Sequence, residues 1–278
     1  MIKTPRELVA VKFEEAKKKE KLCIWKLVVL GIMAGIFIAI GASSANVAVH
    51  AIENAGVAKL VAGCIFPVGL MMIVIVGGEL FTGDCMLIFG WLRRELSLVS
   101  MLRILGIVFI SNLAGSLILA VLVFASGQWN MSAQLLGAYT IKVAMGKVSM
   151  SFVQALSSGI LCNIIVCVAV LFAGAANEVS GKIWGCFFPI MAFVVSGYEH
   201  CVANMYYIPA GIFAKSNPAY VQTAMETYGF TEDQIANLNW GSFFINSSIP
   251  VTLGNIVGGM VCISLVLFLI HKSSLEEK

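Results

Sequence analysis

Several long stretches of the sequence contain no charged residue at all. The stretch from Ile104 to Ser126 is uncharged throughout, and a helix that crosses a bilayer needs about 20 mostly apolar residues. The 278 residues are 59% hydrophobic and 12% charged, with a mean hydropathy of +0.93, whereas a soluble domain carries roughly 25% charged residues. The sequence therefore predicts an all-α integral membrane protein.

We predict six transmembrane helices, the second and the fifth of them interrupted. They are expected near residues 27–46, 60–92, 104–126, 153–176, 183–214 and 245–270, with breaks at 79–84 and 197–204. Residues 1–26 form a charged N-terminal segment, which is either an amphipathic helix along the inner membrane surface or a free cytosolic helix. The channel domain then covers 27–271, and 272–278 form a cytoplasmic tail.

The distribution of basic residues predicts the orientation in the membrane. If both termini are cytoplasmic, 14 of the 18 Lys and Arg residues lie on the inner side, as the positive-inside rule requires. The small net charge of +3 is then a consequence of topology, and it gives no reason to expect a nucleic-acid partner. We expect a multi-pass protein of the cell membrane.

The cysteine and histidine residues do not suggest a cofactor site. The eight cysteines form no CxxC pair and nearly all lie in apolar spans, so we interpret them as small buried apolar residues. Haem ligation from within spans usually needs paired histidines, and only His200 lies at that depth. We therefore predict no metal, no cofactor and no enzyme activity. A haem-binding anchor subunit of a redox enzyme remains the enzyme-class alternative.

The two halves of the chain match each other in three places, in the same order. The matched stretches are GIMAG (31–35) with GILCN (159–163), GCIFP (63–67) with GCFFP (185–189), and NLAGS (112–116) with NIVGG (255–259). Each unit contains three spans, an odd number, so the second copy must enter the membrane from the opposite side. The sequence thus predicts an inverted repeat, about 27–126 and 153–271. In such folds, the transported species binds near the midplane at discontinuous helices.

Charged residues at the two predicted breaks occupy matching positions. Glu79 follows one GCxFP stretch, and Glu199 with His200 follows the other. An ionisable group inside a span costs about 3 kcal/mol or more at the centre, so a function is the default interpretation. For the two glutamates we expect a supporting role, in which the carboxylate accepts backbone N–H groups freed at the break. Gly83 and Gly197 are expected to be structural there.

Four ordered stretches resemble the signatures of the formate/nitrite transporter family, which includes formate, nitrite and hydrosulfide channels. They are GGELFTG (77–83), GILCNIIVCVA (159–169), SGYEHCVANMYYIPAG (196–211) and IPVTLGNIVGG (249–259). The resemblance extends from the first span to the last. It implies an aquaporin-like protomer, assembled as a homopentamer with one pore in each subunit, for a small monovalent anion.

The resemblance also implies roles for particular residues. It assigns the transport pathway to Thr82, Asn163, Lys147, Glu199, His200 and Asn204, and two apolar constrictions to Phe66, Leu70, Leu80, Val166 and Phe193. Lys147 is expected in the outer vestibule. Half-helices are expected to begin just past Thr82 and Asn204, with their positive ends directed at the pore centre. One position differs within the family, since some members carry a different polar residue in place of Glu79.

The sequence is compatible with several other functions. A water or small-solute pore of the aquaporin type is one, but its Asn-Pro-Ala signature occurs once, at 217–219, where we predict a turn. Ammonium transport is another, although a second pore histidine is lacking. Among the anions, formate leads over nitrite and hydrosulfide only because it is the commonest family assignment. His200 either protonates the anion or stands beside it as imidazolium, in a gated channel or a proton-coupled transporter.

Overall fold

The structure, a computed structural model, describes residues 2–276, and for 273–276 only the backbone. Met1 and residues 277–278, the end of the predicted tail 272–278, lie outside the described residues. Every regular element in the described part of the chain is a helix. Apart from a short 3-10 helix at Gln128–Asn130, they are, in chain order, α1 (Pro5–Glu20), α2 (Ile24–Val49), α3 (Ala55–Val76), α4 (Phe81–Leu92), α5 (Leu98–Ala125), α6 (Leu135–Val148), α7 (Phe152–Ala175), α8 (Val179–Ser196), α9 (Cys201–Ala214), α10 (Pro218–Tyr228), α11 (Glu232–Ala236) and α12 (Trp240–Lys272).

Six of these helices are long and apolar enough to cross a membrane: α2, α3, α5, α7, α8 and α12. The shorter apolar helices α4 and α9 follow α3 and α8 after short gaps, so the second and fifth spans each consist of two halves. The prediction of six spans with two interruptions is confirmed.

The two breaks are shorter than predicted. The helices stop at Val76 and Ser196 and resume at Phe81 and Cys201, so the gaps cover 77–80 and 197–200 rather than 79–84 and 197–204. The half-helices also begin before Thr82 and Asn204, not past them. The polar residues that suggested longer gaps, Thr82, Asp84 and Asn204, lie inside the first turns of α4 and α9.

Close helix crossings recur in both repeats. In the first repeat α2 packs along α5, and in the second α7 packs along α12. A Cβ atom added at Gly115 would lie 2.1 Å from the Ile32 carbonyl oxygen, and one at Gly254 would lie 2.2 Å from that of Leu156. Small residues allow membrane helices to approach this closely. The 3+3 repeat seen in the sequence thus corresponds to two equivalent helix pairs.

The N-terminal helix α1 packs against the bundle and is not a free helix. Thr4 caps it, and Glu7 completes a capping box. Val9 and Phe13 are fully buried, and the Phe13 ring meets the edge of Phe89 with centroids 5.8 Å apart. α1 therefore covers one end of the bundle, which we call the N-terminal face.

The single Asn-Pro-Ala tripeptide forms a helix cap just past the end of α9, away from the two breaks. The Asn217 side chain accepts a hydrogen bond from the Ala219 backbone N–H at 3.0 Å, at the start of α10. This arrangement agrees with the interpretation of the tripeptide as a turn.

Candidate functional site

Two asparagines hold the helix breaks in the same way. Asn112 Oδ1 accepts from the Phe81 N–H at 3.0 Å, and its Nδ2 donates to the carbonyls of Gly31 and Glu79, both at 2.8 Å. Because Phe81 is the first residue of α4, this amide supplies the partner that a helix N-terminus otherwise lacks. Asn112 itself is fully buried.

Asn255 repeats this arrangement in the second half. Its Oδ1 accepts from the Cys201 N–H at 2.9 Å, and its Nδ2 donates to the carbonyls of Gly159 (2.7 Å) and Glu199 (3.1 Å). Neither asparagine was predicted from the sequence to have a role. The repeat could have indicated one, since both asparagines are the first residues of the matched stretches 112–116 and 255–259.

Gly77 and Gly197 provide the backbone conformation of the breaks. Their φ angles are +110° and +73°, in the region that favours glycine. Gly197 thus allows the chain to turn at the second break. Gly83 does not act in this way, because it lies within α4 and an added Cβ would make only an ordinary contact with Val170, at 3.8 Å.

The predicted supporting role of the two glutamates is not seen. The amides of Asn112 and Asn255, and not these carboxylates, accept the N–H groups of Phe81 and Cys201 that are freed at the breaks. The carboxylates instead form ion pairs, Glu79 with Lys19 and Glu199 with Lys147.

His200 and Thr82 meet at the centre, where α4 and α9 begin. Thr82 Oγ1 lies 2.9 Å from His200 Nε2, and both side chains are buried. His200 Nδ1 accepts from the Ala203 N–H at 3.1 Å and so caps α9. A neutral imidazole has one donor and one acceptor nitrogen. The ring proton therefore lies on Nε2, which donates to the Thr82 hydroxyl.

Asn163 joins the two halves beside this contact. Its Nδ2 donates to the Thr82 carbonyl at 3.2 Å and to the Asn255 carbonyl at 2.6 Å. The structure thus places together Thr82, Asn163 and His200, three of the residues that the family resemblance assigns to the transport pathway. Asn163 contacts the backbone carbonyl of Thr82 and so supports the chain at the start of α4, next to the first break.

Buried apolar side chains surround the central contact on both sides. The five predicted constriction residues, Phe66, Leu70, Leu80, Val166 and Phe193, are all at most 4% exposed. The rings of Phe66 and Phe193 meet edge to face with centroids 5.5 Å apart, and Phe193 lies 6.1 Å from the His200 ring. Two cavities reach this apolar barrier. Phe66 and Phe193 line one of them, whereas Leu70 and Leu80 line the other.

The cavity next to His200 has a volume of about 170 Å³, and we call it the Lys147 vestibule. Lys147 Nζ lies 2.9 and 3.0 Å from the two carboxylate oxygens of Glu199. Asn204 Nδ2 donates to the same carboxylate at 2.6 Å and to Ser247 at 2.9 Å. Lys147 therefore lines a vestibule, and its charge is balanced by Glu199.

The second cavity has a volume of about 390 Å³ and lies between α1 and the bundle; we call it the Lys19 vestibule. Lys19 of α1 forms an ion pair with Asp84, and its Nζ lies 2.5 Å from Glu79 Oε2. Burial lowers the pKa of Lys19, but the carboxylates of Asp84 and Glu79 outweigh this and raise it above its ordinary value. Neither Lys19 nor Asp84 was predicted from the sequence to be part of a site.

The described residues form an inverted repeat of three spans, with two helices that begin inside the bundle and two vestibules that reach an apolar barrier. These features define a membrane channel with an aquaporin-like protomer. The sequence model of the family described as Formate/nitrite transporter matches residues 6–269. The chain belongs to this family.

Relatives named as transporters and channels cover most of the chain. A "Probable formate transporter" of Methanothermobacter thermautotrophicus is 38% identical over 280 residues, covering 94% of both chains. "Formate channel FocA" of Escherichia coli K12 is 31% identical over 246 residues, which is 87% of this chain and 85% of FocA. A solved "Pentameric formate channel with formate bound" superposes with a TM-score of 0.79 at 34% identity, over 90% of this chain and 98% of that one.

Proposed function

We propose that the protein conducts small monovalent anions, with formate as the principal substrate. The observation that carries the proposal is the central pair: the N-terminal ends of α4 and α9 meet at the Thr82–His200 hydrogen bond inside the apolar barrier. Similar proteins named as formate channels, one of them solved with formate bound, support formate over nitrite and hydrosulfide.

The charge distribution of this centre favours an anion. Each helix N-terminus carries roughly half a positive elementary charge, and two of them face the same point. The surrounding Phe and Leu side chains cannot replace the hydration shell of a cation, whereas a small, weakly hydrated or neutralised species can cross them. A formate-sized anion would take the place of Thr82 as the acceptor of the His200 Nε2–H group.

The geometry of His200 limits how it handles a proton. A neutral ring that gave up its Nε2 proton would become an imidazolate, so Nδ1 must be protonated before His200 can protonate the anion. Nδ1 accepts from the Ala203 N–H, and protonating it would break the cap of α9. We therefore propose that His200 acts first as a fixed hydrogen-bond donor. Proton donation by His200 would additionally require the ring to leave its cap.

The assembly and orientation are also proposals. The similarity to a pentameric formate channel supports a homopentamer with one pathway in each subunit. The basic N-terminal segment and the loop containing Arg93 and Arg94 support cytoplasmic termini in a cell membrane. The Lys19 vestibule would then open to the cytoplasm, and the Lys147 vestibule to the outside.

Anion flux into proteoliposomes tests the proposal. The purified protein should admit formate faster than acetate or lactate, with nitrite and hydrosulfide compared in parallel, with and without a pH gradient. Empty liposomes and a protein with a blocked centre, His200→Phe, provide the background. Water permeability above that of empty liposomes without anion flux would instead favour an aquaporin-like pore.

Phe193→Ala is expected to widen the barrier and relax selectivity by size. Its ring packs against Phe66 on one side and His200 on the other, so its removal opens the route to larger carboxylates. We expect acetate and lactate flux relative to formate to rise about tenfold, because discrimination by one extra carbon in an apolar pocket is worth about 1–3 kcal/mol. Phe188→Ala, on the outer side of the same helix and 61% exposed, is the control. Unchanged flux ratios in Phe193→Ala would place the narrowest point elsewhere.

Lys147→Gln is expected to slow formate entry about tenfold, because like charge in a vestibule lowers the local anion concentration by such factors. The loss of Lys147 leaves the Glu199 carboxylate without its ammonium partner. The double variant Lys147→Gln/Glu199→Gln removes both charges and should recover most of the rate. If the double variant is as slow as Lys147→Gln, then Lys147 attracts the anion by its own charge and the balance with Glu199 is irrelevant.

A further inference from the structure

At the Lys19 vestibule, the Lys19 ammonium group contacts two carboxylates and can neutralise only one of them. Lys19 forms ion pairs with both Asp84 and Glu79. Asp84 is 2% exposed, and its Oδ2 has no hydrogen-bond partner among the described residues. The contact of Lys19 with Glu79 Oε2 is an ion pair without hydrogen-bond geometry. Two buried carboxylates thus share one ammonium group.

The other charged groups that face this vestibule do not contact the pair. They are Lys3, Lys12, Glu15 and Lys182, while the thiols of Cys85 and Cys167 lie in the protein interior nearby. Lys12 Nζ is 2.6 Å from Glu15 Oε2, and Lys3 Nζ donates to the Gly174 carbonyl and to Asn177. Because an uncompensated buried charge is strongly unfavourable, the excess negative charge is most simply removed by one bound proton.

The position of Asp84 places such a proton next to the apolar barrier. The Asp84 N–H donates to the Leu80 carbonyl at 2.9 Å, one helical turn away, and Leu80 lines the same vestibule together with Leu70. An anion that enters this vestibule from the N-terminal face therefore has Asp84 in the same cavity as these two side chains. A neutral acid crosses an apolar constriction far more readily than its anion.

We propose that Asp84, sharing a proton with Glu79 beside Lys19, is a proton-loading site for weak-acid anions that enter from the N-terminal face. The O–H bond of the Asp84 carboxylic acid breaks, and the proton forms a new O–H bond on a formate oxygen. Neutral formic acid leaves for the barrier, and the Asp84 carboxylate remains beside the Lys19 ammonium. A hydronium ion in the vestibule then returns a proton to Asp84 and becomes water. The transport role of this step rests on the proposed function.

The proton itself is tested by infrared spectroscopy on the purified protein in lipid, without any substrate. At neutral pH the parent should show the C=O stretch of a protonated carboxylic acid, shifted in D₂O, which exposed carboxylates do not give at that pH. Asp84→Asn and Glu79→Gln should each abolish the band, because each leaves one carboxylate with one ammonium. Glu15→Gln removes another carboxylate of the same vestibule and should keep it. A band that is missing in the parent, or that survives in both Asp84→Asn and Glu79→Gln, would overturn the proposal.

The transfer step is tested by formate flux over a range of pH. Asp84→Asn should be about a hundredfold slower than the parent at neutral pH, an effect at the low end for a positioned acid. The difference should shrink as the pH falls and bulk formic acid becomes available. Lys19→Gln removes the cation that favours the ionised pair, so its profile should move to higher pH. Parental profiles in both variants would refute the transfer step. Liposomes that conduct no formate at all would refute the proposed function instead, and the infrared result would still decide whether the proton is there.

Discussion

Asn112→Ala and Asn255→Ala are each expected to destabilise the protein by about 4 kcal/mol, because each leaves three buried backbone groups without partners and an unsatisfied group costs about 1–3 kcal/mol. For Asn112 these groups are the Phe81 N–H and the carbonyls of Gly31 and Glu79. Inside a membrane protein, water cannot take over such bonds. The measurement is thermal unfolding in detergent, followed by loss of the assembled oligomer in size-exclusion chromatography.

Asn246→Ala is the matched control, since it makes the same change in a partly buried asparagine of α12. Its Nδ2 donates one hydrogen bond, to the Val148 carbonyl at 3.0 Å, so we expect a loss of about 1 kcal/mol. If Asn112→Ala and Asn255→Ala unfold at the same temperature as Asn246→Ala, the two amides do not hold the breaks. A large effect in only one of them would contradict the equivalence of the two repeats.

The sequence predicts the spans and the breaks of the fold, but not the side chains, such as these asparagines, that hold the breaks. The six spans, the two interruptions and the repeat follow from hydropathy and from the matched stretches, because a bilayer leaves few alternatives to continuous helices. The exact ends of the breaks were predicted too far along the chain. Thr82, Gly83 and Asn204 suggested irregular backbone, but in the structure they belong to helices whose first N–H groups are satisfied by residues from other spans.

The candidate site was predictable where one residue type stood out against an apolar background. His200 is such a case, since an ionisable side chain inside a span is costly and is seldom kept for packing alone. Lys19 is the opposite case, because α1 contains several lysines and nothing in its pattern shows which one turns inward. Its partners lie 60 and 65 residues further along the chain. Only the docking of α1 through Phe13 brings the three groups together.

His200 can act on the anion either as a hydrogen-bond donor or as an acid that gives up its proton, and two substitutions of His200 distinguish these roles. His200→Phe is expected to reduce formate flux about a hundredfold, as the loss of one buried donor to a developing or desolvated charge does in enzymes. Phenylalanine cannot donate to the anion, and it cannot accept from the Ala203 N–H, so the cap of α9 is lost as well. Flux is compared in liposomes that contain equal amounts of assembled protein.

His200→Asn separates a hydrogen-bond donor from a proton donor. Asparagine is a preferred N-cap, so its Oδ1 replaces Nδ1 as the partner of the Ala203 N–H, while its Nδ2 offers a donor toward Thr82. It cannot titrate. If His200 acts as a fixed donor, His200→Asn should keep flux within about tenfold of the parent, with the same pH profile and the same number of protons moved per anion. A flattened pH profile, or altered proton movement, would show that His200 gives its own proton to the anion. The ring would then have to leave its cap in each cycle, and α9 would have to tolerate the loss of that hydrogen bond at the moment the anion passes.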